Sequence, residues 1–109
     1  MRGQVNSEFL RGQQVAGTGG SLDFAIGASV SRGGRCIVAL PSTAGNGKYS
    51  RIVPTLELGS VVTLPAVLVD YVVTEYGVAR LSGRTLEERA RELTAVCHPE
   101  FRDQLRASR

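Results

Sequence analysis

Apolar residues recur at helical spacing directly after a glycine-rich stretch. Leu22 and Ile26, followed by Ser29 or Val30, fall on one side of a helix. Ser21 precedes this series, at the position where a hydroxyl can accept hydrogen bonds from the first helical amides. The pattern therefore predicts a helix from Leu22 to Val30 with Ser21 as its N-cap, ending before a pair of glycines.

A second helical pattern begins at Thr85, three residues before Glu88, which is the spacing of a capping box. In such a box each of the two side chains accepts a hydrogen bond from the other residue's backbone amide. Pro99 ends this helix, because proline lacks an amide hydrogen, and it opens a further short helix. The residues expected to face the core along the first of these helices are Leu86, Ala90, Leu93 and Cys97.

Shorter apolar segments bounded by glycine or proline predict β-strands. Residues 35–40 contain a continuous apolar run closed by Pro41, and they predict a strand buried on both faces. Residues 4–9 alternate loosely, and we expect their hairpin partner upstream of Met1. The pattern as a whole predicts an α/β fold in which helices pack on a mixed open sheet. Further strands are expected at 51–53, 61–64 and 71–74.

The composition is that of a globular chain. Of the 109 residues, 42% are hydrophobic and 21% are charged, which fits a single domain spanning residues 1–109. No apolar stretch approaches the roughly 20 residues that cross a bilayer, and the N-terminus lacks a signal-peptide pattern. We therefore expect a cytoplasmic protein with no membrane partner.

The charge pattern argues against nucleic acid as a partner. The net charge is +3, and Lys48 is the only lysine beside 12 arginines. These charges are spread along the chain and alternate with glutamate in the last third, whereas nucleic-acid binding requires a basic stripe.

The two cysteines do not indicate a metal site. Cys36 and Cys97 lie far apart, with no histidine at metal-ligand spacing, so we expect no metal site and no covalently bound cofactor.

The glycine-rich stretch from Gly17 to Gly20 is the first candidate binding loop. Glycines allow a ligand to approach the backbone closely, and the amides of the following helical turn attract oxyanions. The loop could therefore hold a phosphate, or a thioester oxygen that becomes negative in a transition state. Leu22 takes the place of the third glycine of the dinucleotide-binding fingerprint. A purely structural turn is the alternative.

Residues 42–51 form a second polar loop after a predicted strand. The Gly47-Lys48 pair suggests a nucleotide, but Ser42 stands where a P-loop needs glycine, and Tyr49 stands where it needs Ser or Thr. Hydroxyl groups and a cation at the end of a strand still suit contact with an anion. The alternative is a solvated hairpin.

Glu75 follows directly on the predicted strand 71–74. Ligands collect at the carboxyl ends of strands in open α/β sheets, and a carboxylate there can orient, donate or attack. The alternative is an ion pair with a neighbouring arginine such as Arg51 or Arg80.

Taken together, the ordered motifs are distinctive. The chain resembles the C-terminal part of the acetyl-CoA hydrolase/transferase family, in the branch that includes 4-hydroxybutyrate CoA-transferase. Residues 74–77, Thr-Glu-Tyr-Gly, favour this branch over the succinate/acetate branch, which has Thr-Glu-Gln-Gly. The resemblance runs from Gly3 to about Leu105. The motifs that carry it lie at 3–6, 17–24, 39–44, 50–54, 70–79, 81–90 and 98–102.

The resemblance implies a fold and a reaction. Family enzymes are much longer and have two similar α/β halves, of the kind shared with ribose-5-phosphate isomerase; this chain corresponds to part of the C-terminal half. The implied reaction is ping-pong transfer of CoA between an acyl-CoA and a small carboxylic acid, through a glutamyl-CoA thioester. Coenzyme A is then a substrate, and the protein is expected to be a homo-oligomer. In the acetyl-CoA hydrolase alternative, water replaces the acceptor acid.

The resemblance also implies roles for particular residues. The family's nucleophilic glutamate lies upstream of the glycine loop, outside these residues, so we expect the catalytic N-terminal half to be absent and the 109 residues alone to be inactive. Gly19 or Gly20 matches the loop whose amide holds the thioester oxygen, and Glu75 matches a supporting active-site glutamate. Gly19 and Glu75 should then converge on one pocket. The alternative to a part of an enzyme is a module that binds an anion or a nucleotide without catalysing a reaction. The residues expected near CoA are Gly17, Ser42, Thr43 and Lys48.

Overall fold

The computed structural model describes residues 1–17 and 19–108 of the chain. No helix in the described part has both the length and the apolar character needed to span a membrane. The strands are Phe9–Leu10 (β1), Gln13–Gln14 (β2), Ile37–Ala39 (β3), Thr43–Ala44 (β4), Tyr49–Ser50 (β5), Tyr71–Thr74 (β6) and Gly77–Arg80 (β7). The helices are Ser21–Val30 (α1), Leu86–Val96 (α2) and Pro99–Ala107 (α3), with a short 3-10 helix at Ala66–Leu68.

A three-stranded mixed sheet forms the centre of the fold. Its strand order is β3-β6-β7, where β3 runs parallel to β6 and β6 runs antiparallel to β7. Two short hairpins, β1-β2 and β4-β5, lie outside this sheet. The predicted α/β class with a mixed sheet is confirmed. β6 has the predicted bounds, whereas β7 was not predicted because its four residues include only two apolar side chains.

One face of the central sheet packs against α2. Alternate residues of β6 and β7 point toward this helix, because side chains along a strand alternate between its two faces. Leu81 follows β7 and is among the largest fully buried side chains. The buried apolar residues contributed by this layer are Val72, Ala79, Leu81, Leu93, Val96 and Cys97.

The capping signals of α2 and α3 are confirmed. The Glu88 amide donates to Thr85 Oγ1 at 3.2 Å, and the Thr85 amide donates to Glu88 Oε2 at 2.7 Å. At α3, the Glu100 amide donates to Nδ1 of His98, and Pro99 occupies the first turn. His98 is therefore an N-cap, which satisfies an amide that the helix itself leaves unpaired.

The buried face of α2 was predicted with one error. Ala90, Leu93 and Cys97 are buried as expected. Leu86 is 58% exposed, because the first residue of the helix lies beyond the edge of the layer that α2 covers.

The predicted face of α1 is correct only at Leu22, which packs against the core. Ala25 is the buried residue of this helix, whereas Ile26 is 46% exposed and Val30 is 80% exposed. The N-cap is also different: Gly20 caps the helix without a side-chain hydrogen bond, and Ser21 is the first helical residue. Since α1 is apolar around most of its circumference, its sequence does not define a single inward face.

Several strand predictions are also wrong. In β3 only Val38 packs against the core, and Ile37 is 59% exposed, so the strand is not buried on both faces. Residues 4–9 do not form one strand: Val5 makes an isolated bridge with Leu64, and β1 pairs with β2. Residues 51–53 and 61–63 lie outside the strands, because nearby prolines remove the amides that a ladder needs.

Candidate active site

Two polar residues meet at the carboxyl ends of the parallel strands β3 and β6. Glu75 and Tyr76 form the two-residue turn between β6 and β7, in which Thr74 pairs with Gly77. Gly77 has φ +134°, a backbone conformation that residues with a side chain rarely adopt. Ser42 lies shortly after β3. The sheet therefore brings the second and third sequence candidates together, as expected for strand ends of an open α/β sheet.

A hydrogen bond joins these residues directly. The Ser42 amide donates to Oε1 of Glu75 at 2.7 Å, and this bond lowers the pKa of Glu75 below its ordinary value because it stabilises the carboxylate. Glu75 is exposed, and the contact with the Ser42 amide is made by one of its two carboxylate oxygens. The alternative interpretation, an ion pair between Glu75 and Arg51 or Arg80, is wrong. The ion pairs among the described residues lie within 84–106.

Ser42 is held rigidly in place. Its side chain is fully buried, and its carbonyl accepts a hydrogen bond from the Arg51 amide at 2.9 Å. The Ser42 hydroxyl makes no hydrogen bond of good geometry with the described residues, although it is near enough to Glu75 to favour the ionised carboxylate further. The amide that meets Glu75 is thus fixed by the buried backbone around it.

The turn that carries Glu75 is anchored to α2 and α3 by residues that sequence reasoning missed. Thr74 Oγ1 donates to the Val96 carbonyl at 2.6 Å and accepts from the Tyr76 amide at 3.0 Å. The Tyr76 ring contacts His98 edge-on at 5.5 Å, and the Arg102 guanidinium lies 5.5 Å from the ring centre. Of these residues, only Thr74 could have been identified from the sequence. It ends a predicted strand, and a hydroxyl buried there needs a hydrogen-bond partner.

The glycine loop presents backbone amides to which the described residues offer no acceptor. Gly17 and Gly19 have open space around them, and Thr18 lies outside the described residues. Gly20 caps α1 with φ −79°, and its amide donates no hydrogen bond within the described part of the chain. Its N-cap residue makes no side-chain hydrogen bond, so as far as the described residues go the amides of the first turn of α1 are also available to an oxyanion.

Glu8 anchors the segment that leads into the glycine loop, and sequence reasoning missed this role. Its carbonyl accepts hydrogen bonds from the Val15 and Ala16 amides. Its buried carboxylate accepts from Thr63 Oγ1 at 2.8 Å and from the Gln14 side-chain amide at 3.3 Å. The position of the loop therefore depends on a carboxylate distant from Glu75 in sequence.

The remaining candidates lie on the β4-β5 hairpin. Thr43 begins β4 next to Ser42, and its carbonyl accepts from Nε of Arg51 at 3.3 Å. Lys48 lies at the far end of the β4-β5 hairpin, with its ammonium 5.5 Å from the centre of the Tyr49 ring. Among the described contacts, no hydrogen bond joins the glycine loop or Lys48 to Glu75.

The lowered pKa of Glu75 gives a pH prediction. A carboxyl whose folded pKa is depressed stabilises the fold above its unfolded pKa, and this contribution is lost as pH falls through the folded pKa. We expect the Glu75 carboxyl carbon to titrate below the ordinary value of about 4.3 in an NMR pH series. The Ser42 amide resonance should move with it.

The glutamine variant provides the control. In Glu75→Gln, the Ser42 amide should no longer follow an acidic titration, because the side chain that accepts its hydrogen bond cannot ionise. A Glu75 carboxyl that titrates at or above the ordinary glutamate value would contradict the geometry of the Ser42 contact.

Known proteins match the chain along its whole length. Residues 1–109 match the family described as acetyl-CoA hydrolase/transferase C-terminal domain. The 4-hydroxybutyrate coenzyme A transferase of Clostridium kluyveri is 54% identical over 105 residues, which cover 96% of this chain and 24% of that protein. The succinyl-CoA:cyclohexane-1-carboxylate CoA transferase of Geobacter metallireducens is 50% identical over 103 residues, covering 94% of this chain and 24% of that protein.

A solved structure shows the same fold. The crystal structure of RipA from Yersinia pestis superposes with a TM-score of 0.87 at 44% sequence identity, covering 98% of this chain and 24% of that one. The chain thus spans about a quarter of the length of the relatives that it matches.

Proposed function

Because the chain belongs to the acetyl-CoA hydrolase/transferase family through that family's C-terminal domain, we propose that it forms one wall of an acyl-CoA site in an acyl-CoA:carboxylate CoA-transferase. The observation that carries the proposal is the ionised, exposed Glu75, fixed by the Ser42 amide at the carboxyl end of the sheet. A carboxylate held in one orientation at the end of a sheet suits a reaction whose groups must be positioned closely.

The proposed reaction proceeds in two covalent steps and their reverse. A glutamate carboxylate from outside these residues attacks the thioester carbonyl, and CoA thiolate leaves, so that a mixed anhydride forms. The thiolate then attacks the glutamyl carbonyl of the anhydride. This releases the donor acid as its carboxylate and leaves a glutamyl-CoA thioester. An acceptor carboxylate takes the CoA by the same steps in reverse.

In this scheme the residues of the chain stabilise and position. The amide of Gly20 or Gly19, with those of the first turn of α1, donates to the thioester oxygen as it becomes negative. Support comes from the unpaired Gly20 amide and the absence of a side-chain cap on α1 within the described residues. The exposed carboxylate of Glu75 accepts a further hydrogen bond from a donor on the substrate side and so orients that donor. Glu75 is a positioning residue and not the nucleophile.

Other residues are proposed to contact the rest of coenzyme A. Gly17 and Thr43 contact the ligand directly, Ser42 contributes by holding Glu75, and Lys48 supplies a positive charge for a CoA phosphate. We propose that the acyl group belongs to the 4-hydroxybutyrate or butyrate class, on the basis of residues 74–77 and the identity to the Clostridium kluyveri transferase. A cytoplasmic location fits these substrates, because charged CoA thioesters do not cross bilayers unaided.

A chimera tests the proposed function. In it, this chain replaces the matching 105 residues of the Clostridium kluyveri 4-hydroxybutyrate coenzyme A transferase. We expect the chimera to transfer CoA between an acyl-CoA and acetate or 4-hydroxybutyrate, and the unattached chain to show no transfer, because it lacks the attacking carboxylate. Formation of the new acyl-CoA is followed by chromatography.

The products distinguish the alternatives. Release of free CoA without a new thioester would identify a hydrolase. A well-folded chimera that binds acyl-CoA but performs neither reaction would favour the non-catalytic anion-binding module and contradict the proposal.

A further inference from the structure

The Arg102 side chain connects the two C-terminal helices to the turn that carries Glu75. Its Nε donates to the Cys97 carbonyl at 3.0 Å, and so satisfies a carbonyl just beyond the end of α2. Its guanidinium lies over the Tyr76 ring, 5.5 Å from the ring centre. Tyr76 directly follows Glu75 in the turn between β6 and β7. One side chain of α3 therefore contacts both the C-terminus of α2 and this turn.

The Tyr76 ring is held by two residues of α3 and its N-cap. His98 caps α3 and contacts the ring edge-on at 5.5 Å, and Arg102 lies one helical turn later. Arg102 is half-buried, and a planar guanidinium interacts more strongly with an aromatic face where water is partly excluded. The ion pairs of the described residues are made by other arginines. The position of Arg102 thus follows from the ring and the carbonyl.

The turn depends on such support because it is short and exposed. Glu75 is exposed and Tyr76 is 41% exposed, so little of the turn is fixed by burial. Glu75 must nevertheless reach the Ser42 amide, which lies beyond the end of another strand, at 2.7 Å. Hydrogen bonds weaken steeply as their angle departs from linearity, so a small rotation of the turn would weaken this contact.

We propose that Arg102 is a positioning residue for Glu75: through the Tyr76 ring it holds the turn in the orientation in which Glu75 meets the Ser42 amide. The inference rests on the proposed function, because its effect on the reaction requires Glu75 to act on an acyl-CoA. It also gives a role to the sequence motif at 98–102, which the proposed function leaves unused.

The first test is Arg102→Gln in the chimera described above. We expect kcat to fall by about 10- to 100-fold with little change in the KM for acyl-CoA, because a misplaced group at the reacting centre costs rate rather than affinity. The acid limb of the kcat profile should also move to higher pH. A looser turn weakens the Ser42 hydrogen bond that lowers the pKa of Glu75, whereas His98, whose charge lowers it as well, remains in place.

Variants of Tyr76 separate positioning from direct binding by Arg102. Tyr76→Phe keeps the ring and should stay within about twofold of full activity. Tyr76→Ala should lose about as much kcat as Arg102→Gln and show the same shift of the acid limb, although it removes no charge. The double variant should lose little more than the larger single loss, because both substitutions remove one contact.

Arg106→Gln is the matched control. Arg106 lies on the same helix and pairs with Asp103 at 2.9 Å on its exposed side, where ion pairs contribute little. This variant should keep full activity. The Tm of every variant is measured, so that a loss of kcat in a folded protein is separated from unfolding.

Three results would overturn the proposal. They are full activity of Arg102→Gln, a rise in KM at unchanged kcat, and losses that multiply in the double variant; the last two would show that Arg102 binds the ligand itself. A chimera that transfers no CoA even without substitution would instead contradict the proposed function. The NMR titration of the Ser42 amide in that chimera would then decide, and an unchanged titration in Arg102→Gln would exclude a positioning role.

Discussion

Replacing Glu75 by glutamine in the chimera is expected to lower kcat by about 10²–10³-fold, the scale of losing one preorganised polar group at a reacting centre. Glutamine keeps the shape of the side chain. Its carbonyl oxygen can still accept a hydrogen bond from the Ser42 amide, which lies 2.7 Å from the carboxylate in the unmodified chain. The substitution therefore removes the negative charge and leaves the fold in place. Steady-state kinetics should show a fall in kcat larger than any rise in KM.

Glu87→Gln is the control for loss of a carboxylate as such. Glu87 pairs with Arg91 at 3.1 Å on the exposed side of α2, and exposed pairs contribute little to stability. The activity of the Glu87→Gln variant should match that of the unmodified chimera. A Glu75→Gln variant with full activity and an unchanged pH profile would remove Glu75 from the site. Accumulation of an acyl adduct on Glu75 itself would make it the nucleophile and contradict its proposed role.

Gly20→Pro is expected to produce a loss of similar size, about 10²–10³-fold in kcat, by removing a single backbone donor. The Gly20 φ of −79° lies within the range that proline adopts, so the substitution deletes the amide hydrogen without forcing a new backbone conformation. That amide donates no hydrogen bond within the described residues, so the fold loses no contact with it. The effect should therefore fall on activity rather than on Tm.

Gly20→Ala separates the amide from the side chain. A Cβ at this position would lie 3.4 Å from the Phe24 ring, which is an ordinary contact, and alanine retains the amide hydrogen. The alanine variant should remain at least about tenfold more active than the proline variant. Equal activities of the two variants, at unchanged Tm, would show that the Gly20 amide does not hold the thioester oxygen.

Local signals in the sequence predict part of the fold well. The capping box at Thr85 and the proline at position 99 specify the starts of α2 and α3, because each satisfies or removes an unpaired helical amide. β6 is predicted because four residues of high strand propensity stand before a turn. The apolar pattern of α1 fails, since a helix that is apolar all round gives no inward direction. β3 fails for a related reason: its outer face is apolar but uncovered.

The candidate site is predicted only where chain order and strand ends suffice. Ser42 and Glu75 both follow parallel strands, and the sheet brings them together. The residues on either side of Glu75, Thr74 and Tyr76, are contacted by Val96, His98 and Arg102. These three residues lie far along the chain and reach the turn only through the packing of α2 and α3. Contacts of this kind depend on tertiary packing, which no local pattern specifies.

The central claim is that the Gly20 amide and Glu75 act on one acyl-CoA. The most direct measurement is a crystal structure of the chimera with an acyl-CoA bound, in which the distances from the thioester oxygen to the Gly20 amide and from Glu75 to the ligand are read. We predict that Gly20 N, or the neighbouring Gly19 N, lies about 2.7–3.1 Å from that oxygen, with Glu75 lining the same cavity. A thioester bound away from the α1 N-terminus, with Glu75 facing solvent elsewhere, would contradict the claim.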